Sequence, residues 1–290
     1  MVVSDPFSAL EGEYSPEEIA YLRAALAGDE PWLDAGLVAL AAAEAIRYRG
    51  SRDAEALRPL RPMILIRAWS RRAARQSTRP RATELHADLT RADVELRQAE
   101  LPYSGFFAVE EMRLAHRRFD GGMSGEMSRA AFLMVDAVTV LPYDPLRDRV
   151  LVIEQFRVGP LARGDAHPWM IEPIAGRIDP GEGPESTARR EAVEEAGVTL
   201  GALHKIAEYY PSGGAVTEYV HSYIGIADLP DGITGVGGVD TEHEDIASML
   251  VGFDRLMELL DAGALDVAPL YLSALWLARH RDRLRREAGV

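Results

Sequence analysis

Between Gly176 and Val198 the chain reads GRIDPGEGPESTARREAVEEAGV, and no other stretch restricts the fold as sharply. Pro184 suits the first helical position, because its missing N–H costs nothing there and its φ is already helical. Glu185 then falls in the first turn, where the helix dipole favours an anion, and Gly197 is placed to close the helix in a left-handed conformation. This punctuation predicts a helix over residues 184–196. On it Glu191 and Glu195 are four residues apart and Glu194 is three from Glu191, so three carboxylates project to one side. Each close pair costs roughly 3 kcal/mol at an effective dielectric of about 20, a repulsion that hard divalent cations among the oxygens relieve. Mg²⁺ is the natural candidate. The alternative is a solvated acidic face paired with Arg189 and Arg190.

A chain of 290 residues can bury a full core as one large domain or two small ones. The absence of cysteine excludes disulfides, thiolate zinc sites and a thiol nucleophile. A formal net charge of −14 argues against nucleic acid as the main partner, since phosphates need a basic surface. No membrane span is expected: the longest apolar segment, Ala35 to Ile46, is short and broken by Glu44. The opening residues lack a basic region followed by an apolar run, so the cytoplasm is the expected compartment. One local exception stands out. Arg61, Arg67, Arg71, Arg72, Arg75, Arg79 and Arg81 form an acid-free basic run, either a polyanion-binding strip or a solvated helix face and linker.

Residues 1 to about 80 read as helical. Ser15-Pro16-Glu17-Glu18 is a capping box that opens a helix which Gly28 can close, a second segment runs from about Pro31 to Tyr48, and a third from Met63 to Ala74. From about Ala92 the alternation turns to period two around Phe106 to Met112, with a turn at Asp120-Gly121-Gly122. Strands are expected over 137–141, 150–156 and 219–226, a glycine-rich loop over 232–238, and helices near 253–260 and 269–286. Strands mixed with helices that cannot all lie on one side imply an α/β/α sandwich.

From Gly176 through Glu182, Arg190-Glu191, Glu194-Glu195 and Gly197, every position matches the Nudix box, and the chain resembles the Nudix hydrolases. Further pieces are similar to the ADP-ribose pyrophosphatase branch: Gly105-Phe106-Phe107, the stretch from His116 to Ser124, Leu141 to Pro145, Glu154 to Arg157, Pro168-Trp169 through Gly176, and Glu242 to Ile246. The resemblance spans roughly residues 95 to 285. It implies a Nudix α/β/α sandwich with a mixed sheet over 93–290, in which a strand subdomain at 93–135 is exchanged between the subunits of a homodimer. Residues 1–92 are left as a helical extension of unknown role.

The activity implied is metal-dependent hydrolysis of ADP-ribose to AMP and ribose 5-phosphate. Another nucleoside diphosphate sugar such as GDP-mannose is the alternative substrate, and a silent nucleotide-binding or scaffold protein is the third reading. Mg²⁺ or Mn²⁺ would be held by Glu191, Glu195, Glu244 and the Ala175 carbonyl, an all-oxygen set suited to hard cations. Glu242 matches the loop glutamate that takes the proton of water, Glu194 is the second candidate for that role, and Arg190 orients a helix carboxylate. Arg157 and Arg129 match positions that hold phosphate or ribose. Phe106 matches an aromatic that stacks on adenine, with core packing as the alternative, and Gly176 and Glu218 complete the expected substrate contacts. The chain departs from the branch at Ala130, where a glutamate is usual, and in Pro211 to Glu218, where proline and serine are transposed and a residue is inserted.

Overall fold

The computed structural model describes residues 5–78, 80, 82–239 and 244–290. The chain divides into two compact units, Met1–Val135 with Ser212–Glu218, and Asp136–Pro211 with Tyr219–Val290.

The first unit begins with four helices: α1 (Pro16–Leu26), α2 (Ala35–Ala45), the one-turn α3 (Ala54–Leu57) and α4 (Arg61–Gln76). The capping box at α1 is formed, with Ser15 N–H on Glu18 Oε2 at 2.8 Å and Glu18 N–H on Ser15 Oγ at 3.3 Å. Helix α2 starts later than the apolar pattern predicts, because Asp34 accepts the Leu37 N–H at 2.9 Å and so caps it. Leu22, Leu26, Leu37, Ala41, Leu57 and Ile64 bury the faces of these helices in one core.

Four arginines of the basic run pair with acids from earlier in the chain. Arg61 clasps Glu30 at 2.8 and 2.7 Å, and Arg72 meets Asp34 at 2.7 Å. Glu44 is 1% exposed and takes Arg67 Nε at 2.9 Å and Arg71 at 2.9 Å, with Arg67 itself 2% exposed. Arg79 and Arg81 lie outside the described residues.

The unit continues as an antiparallel sheet of β1 (Val94–Ser104), β2 (Ala108–His116) and β3 (Met127–Leu133), in that order. β1 carries an extra residue between Glu100 and Tyr103 relative to β2, and within this bulge Leu101 packs on the helical core. Residues 212–218 join the far edge: the Phe132 N–H donates to the Ala215 carbonyl at 2.7 Å and the Thr217 N–H to the Phe132 carbonyl at 3.1 Å.

The second unit is a mixed sheet between helices. Its elements are β4 (Asp136–Asp144), β5 (Arg149–Phe156), the short α5 (Val158–Arg163), β6 (Trp169–Glu172), β7 (Ile174–Arg177), α6 (Pro184–Ala196), β8 (Leu203–Tyr209), β9 (Tyr219–Ile226), β10 (Val236–Gly237), β11 (Ile246–Gly252), α7 (Phe253–Asp261) and α8 (Ala268–Glu287). The strand order is β10-β11-β5-β4-β9-β8, with β6 on β5 and β7 on β4; β4 and β9 run parallel and the other pairs antiparallel. Strand alternation separates two cores. Val138, Val140, Leu151, Ile153 and Tyr223 face Ala188 and Ala192 of α6, whereas Leu141, Tyr143, Val150, Val152 and Ile224 face Phe253, Leu256, Leu270 and Leu277 of α7 and α8. This is the expected α/β/α sandwich.

Candidate active site

Helix α6 spans the residues that its proline and glycine predict, and Gly197 closes it at φ +64°. Its inner face is small, with Ala188 and Ala192 fully buried, so the helix packs close to β4 and β7. That closeness takes carboxylates into the interior. Glu195 is 2% exposed and accepts the Ala175 N–H at 3.2 Å. Glu191 lies so near β7 that a Cβ on Gly176 would stand 1.9 Å from Glu191 Oε1. The framing glycine therefore provides a niche for a carboxylate.

Arg190 organises the outer side of this group. Its NH1 donates to Glu191 and Glu194, each at 2.8 Å, and its Nε to Glu182 Oε1 at 3.0 Å. Glu182 also accepts the Thr187 hydroxyl at 2.8 Å. Burial works against its charge, but the Arg190 and Thr187 bonds outweigh burial and hold its carboxyl below the ordinary range. The two inner glutamates behave in the opposite way. Burial pushes Glu191 up to about 7 against the pull of Arg190, and Glu194 and Glu244 add repulsion. Burial pushes Glu195 up to about 9 despite the Ala175 N–H, with Glu191 and Glu244 adding repulsion and Arg157 opposing it.

The loop before β11 reaches this group because it lacks side chains at two points. A Cβ on Gly237 would meet the Glu195 carbonyl oxygen at 2.3 Å, and Gly238, at φ +106°, donates its N–H to the Glu194 carbonyl at 3.2 Å. The loop thus rests on the carboxyl end of α6. From it Glu244 contributes charge to the group, its carboxylate accepting the Val239 N–H at 3.1 Å. Two glycines of the glycine-rich segment thus have a close-packing role.

Arg157, at the end of β5, donates to Glu172 Oε2 through Nε at 2.9 Å and NH2 at 2.6 Å. Phe106 and Arg129 belong to the first unit: Phe106 sits in the β1–β2 turn and is 55% exposed, and Arg129 is exposed on β3 with its NH1 on the Ser128 carbonyl at 2.8 Å. Ala130, beside Arg129, is exposed and pairs across the sheet with Glu111. Glu218 ends the 212–218 segment of the same unit and is half-buried. Glu242 lies outside the described residues.

Thr187 is a participant the sequence did not mark, and Glu172 falls in the matched stretch from Pro168 to Gly176 with no role given to it there. Glu172 is polar and buried on a strand, a signal visible only once β6 is recognised. No three Asp, Glu, His or Cys side chains among the described residues stand close enough together to hold a metal ion as placed, since each carboxylate is turned to a protein donor. The donor set nevertheless fits a hard cation. Its members are oxygens, and one buried and one partly buried carboxylate hold negative charge that is compensated only in part.

Residues 134–271 match the NUDIX domain model. The chain is 35% identical over 195 residues to the ADP-ribose pyrophosphatase of Escherichia coli (strain K12), covering 67% of this chain and 92% of that protein. This chain belongs to the Nudix family. The Nudix chain is also 36% identical over 128 residues to the GDP-mannose pyrophosphatase of Salmonella arizonae, covering 44% of this chain and 65% of that one. A solved structure described as an ADP compounds hydrolase shares the fold at a TM-score of 0.51 and 20% identity, over 65% of this Nudix chain and 96% of the other. The protein is a Nudix pyrophosphohydrolase. Among the described residues of this Nudix hydrolase no helix is long and apolar enough to cross a membrane.

Proposed function

We propose that this Nudix hydrolase splits the diphosphate of ADP-ribose into AMP and ribose 5-phosphate with Mg²⁺, or Mn²⁺ in its place. The observation that carries this reading is the Glu191–Glu195 pair, Glu195 buried and Glu191 partly so, with Glu244 adding its charge, in a chain that spans nearly the whole length of an ADP-ribose pyrophosphatase. Glu191, Glu195, Glu244 and the Ala175 carbonyl hold the cation, which supplies charge neutralisation of the diphosphate and a more acidic water. Arg190 holds Glu191 and Glu194 in place through its fork of hydrogen bonds. Glu242 accepts the proton of the attacking water, with Glu194 as the second candidate. Arg157 and Arg129 hold phosphate or ribose, Phe106 stacks on adenine, and Gly176 and Glu218 line the substrate.

The catalytic part comprises residues 93–290, with the strands of 93–135 exchanged in a homodimer and residues 1–92 as an added extension. A chain without cysteine suits the reducing cytoplasm, where we place the reaction. The test is a panel of nucleoside diphosphate derivatives with Mg²⁺, with products identified by mass. ADP-ribose should give the highest kcat/KM and yield AMP; a higher value for GDP-mannose would transfer the assignment to the second reading, which the similarity to a GDP-mannose pyrophosphatase keeps in play.

A further inference from the structure

The helical extension lies outside the residues matched by the family model, yet it grips one part of the first unit in particular. That part is the β1–β2 turn. Tyr48 is 5% exposed, and its hydroxyl is hydrogen-bonded to Ser104 Oγ, on the last residue of β1. Arg52 donates from NH2 to the Ser104 carbonyl at 3.2 Å, its guanidinium 5.6 Å from the centre of the Tyr48 ring. Arg47 reaches the other strand and meets Glu110 of β2 at 2.6 Å, both side chains being largely buried. Leu101, in the β1 bulge, packs into the helical core just ahead of these contacts. Three polar contacts from residues 47–52 thus hold both strands flanking Gly105-Phe106-Phe107. At the tip, the Gly105 N–H donates to the Phe107 carbonyl at 2.8 Å, and the Phe106 ring meets the Phe107 ring edge-on at 4.8 Å.

We propose that the extension is a positioning element for substrate recognition, in which Tyr48, Arg52 and Arg47 fix the turn that presents Phe106 to the base of the nucleotide. The proposal rests on the reading of Phe106 as the base-stacking residue. The physical reason is entropic: an exposed aromatic on a free hairpin tip loses conformational freedom when it binds, and a tip already fastened at Ser104 and Glu110 loses less. Tyr48, Arg52 and Arg47 are positioning residues and need not touch substrate.

The test is steady-state kinetics on ADP-ribose with the full chain. Tyr48→Phe and Ser104→Ala each remove one hydroxyl and keep the packing; each should raise KM roughly 3- to 10-fold, the equivalent of one lost hydrogen bond, with kcat near wild type. Ser104→Thr, which keeps a hydroxyl, should restore the wild-type KM. Phe106→Ala should raise KM by at least as much, and adding Tyr48→Phe to it should cost nothing further. A raised KM in Phe106→Ala beside wild-type KM in Tyr48→Phe and Ser104→Ala overturns the positioning role alone, as does additivity of the two changes. An unchanged KM in Phe106→Ala overturns the stacking assignment and the positioning role with it.

Discussion

A methyl group at position 176 would stand 1.9 Å from Glu191 Oε1, a distance no side chain tolerates without moving. The obstacle is the end of a flexible carboxylate, so Gly176→Ala should displace Glu191 and leave the fold in place. Turnover should fall roughly 10- to 100-fold with Tm little changed, measured by initial rates beside thermal unfolding. Glu191→Gln and Glu195→Gln should each lower Mg²⁺-dependent kcat by about a hundredfold or more while circular dichroism stays native; wild-type rates in either would remove that residue from the cation-holding group. The chemical character of these residues was legible in the sequence, because helical spacing alone gathers Glu191, Glu194 and Glu195. The niche at Gly176 was not, since a glycine kept for the space beside it looks the same as one kept for a turn. The pairing of Glu172 was equally hidden, because its partner Arg157 lies 15 residues away, just past the end of β5.

At the level of elements, local punctuation gave α1, α6 and the two C-terminal helices close to their true limits, since proline, capping boxes and glycine act within a few residues. β3 and β8 escaped notice. MSRAAFL and LHKIAEY show no clean alternation, and pairing with neighbouring strands makes them strands. The pairing of the basic run was hidden for a related reason: its acids are Glu30, Asp34 and Glu44, which lie 23 to 38 residues earlier and meet it only after α2 and α4 pack. Removing one partner of that buried pair is costly, and Glu44→Gln should destabilise the protein by roughly 3 kcal/mol in denaturant unfolding.

The β4–β5 turn offers a pH test. Asp148 adopts φ +54° and accepts the Tyr143 hydroxyl at 2.7 Å and Arg281 Nε at 2.9 Å. Burial opposes its charge, but the bonds from Arg281 and Tyr143 outweigh burial and hold the carboxyl below its usual 3.8. A lowered folded value means the stabilisation is complete above the unfolded value and is lost as pH falls through the folded one. Asp148→Asn should therefore cost about 2 kcal/mol at neutral pH, and the gap to wild type should close below about pH 4. A gap independent of pH would deny the carboxylate that role.

For the whole molecule, the three-layer second unit followed from composition and order of elements, while the division of the chain did not. Residues 212–218 sit in the middle of the second unit's sequence yet bond to the first, by backbone to Phe132 and by the Thr217 hydroxyl to Met134. Nothing local marks such a return. The proposed homodimer is checked by light scattering with the intact chain, which should give twice the mass of 31.8 kDa. The return at 212–218 also bears on how this protein can be taken apart. Cutting the chain ahead of Asp136 would strip the Ala215 carbonyl and the Thr217 N–H of their strand partner and leave a raw edge open to aggregation. The half that carries the box is therefore not a detachable cassette: an exchange between relatives has to move two separate pieces of sequence together.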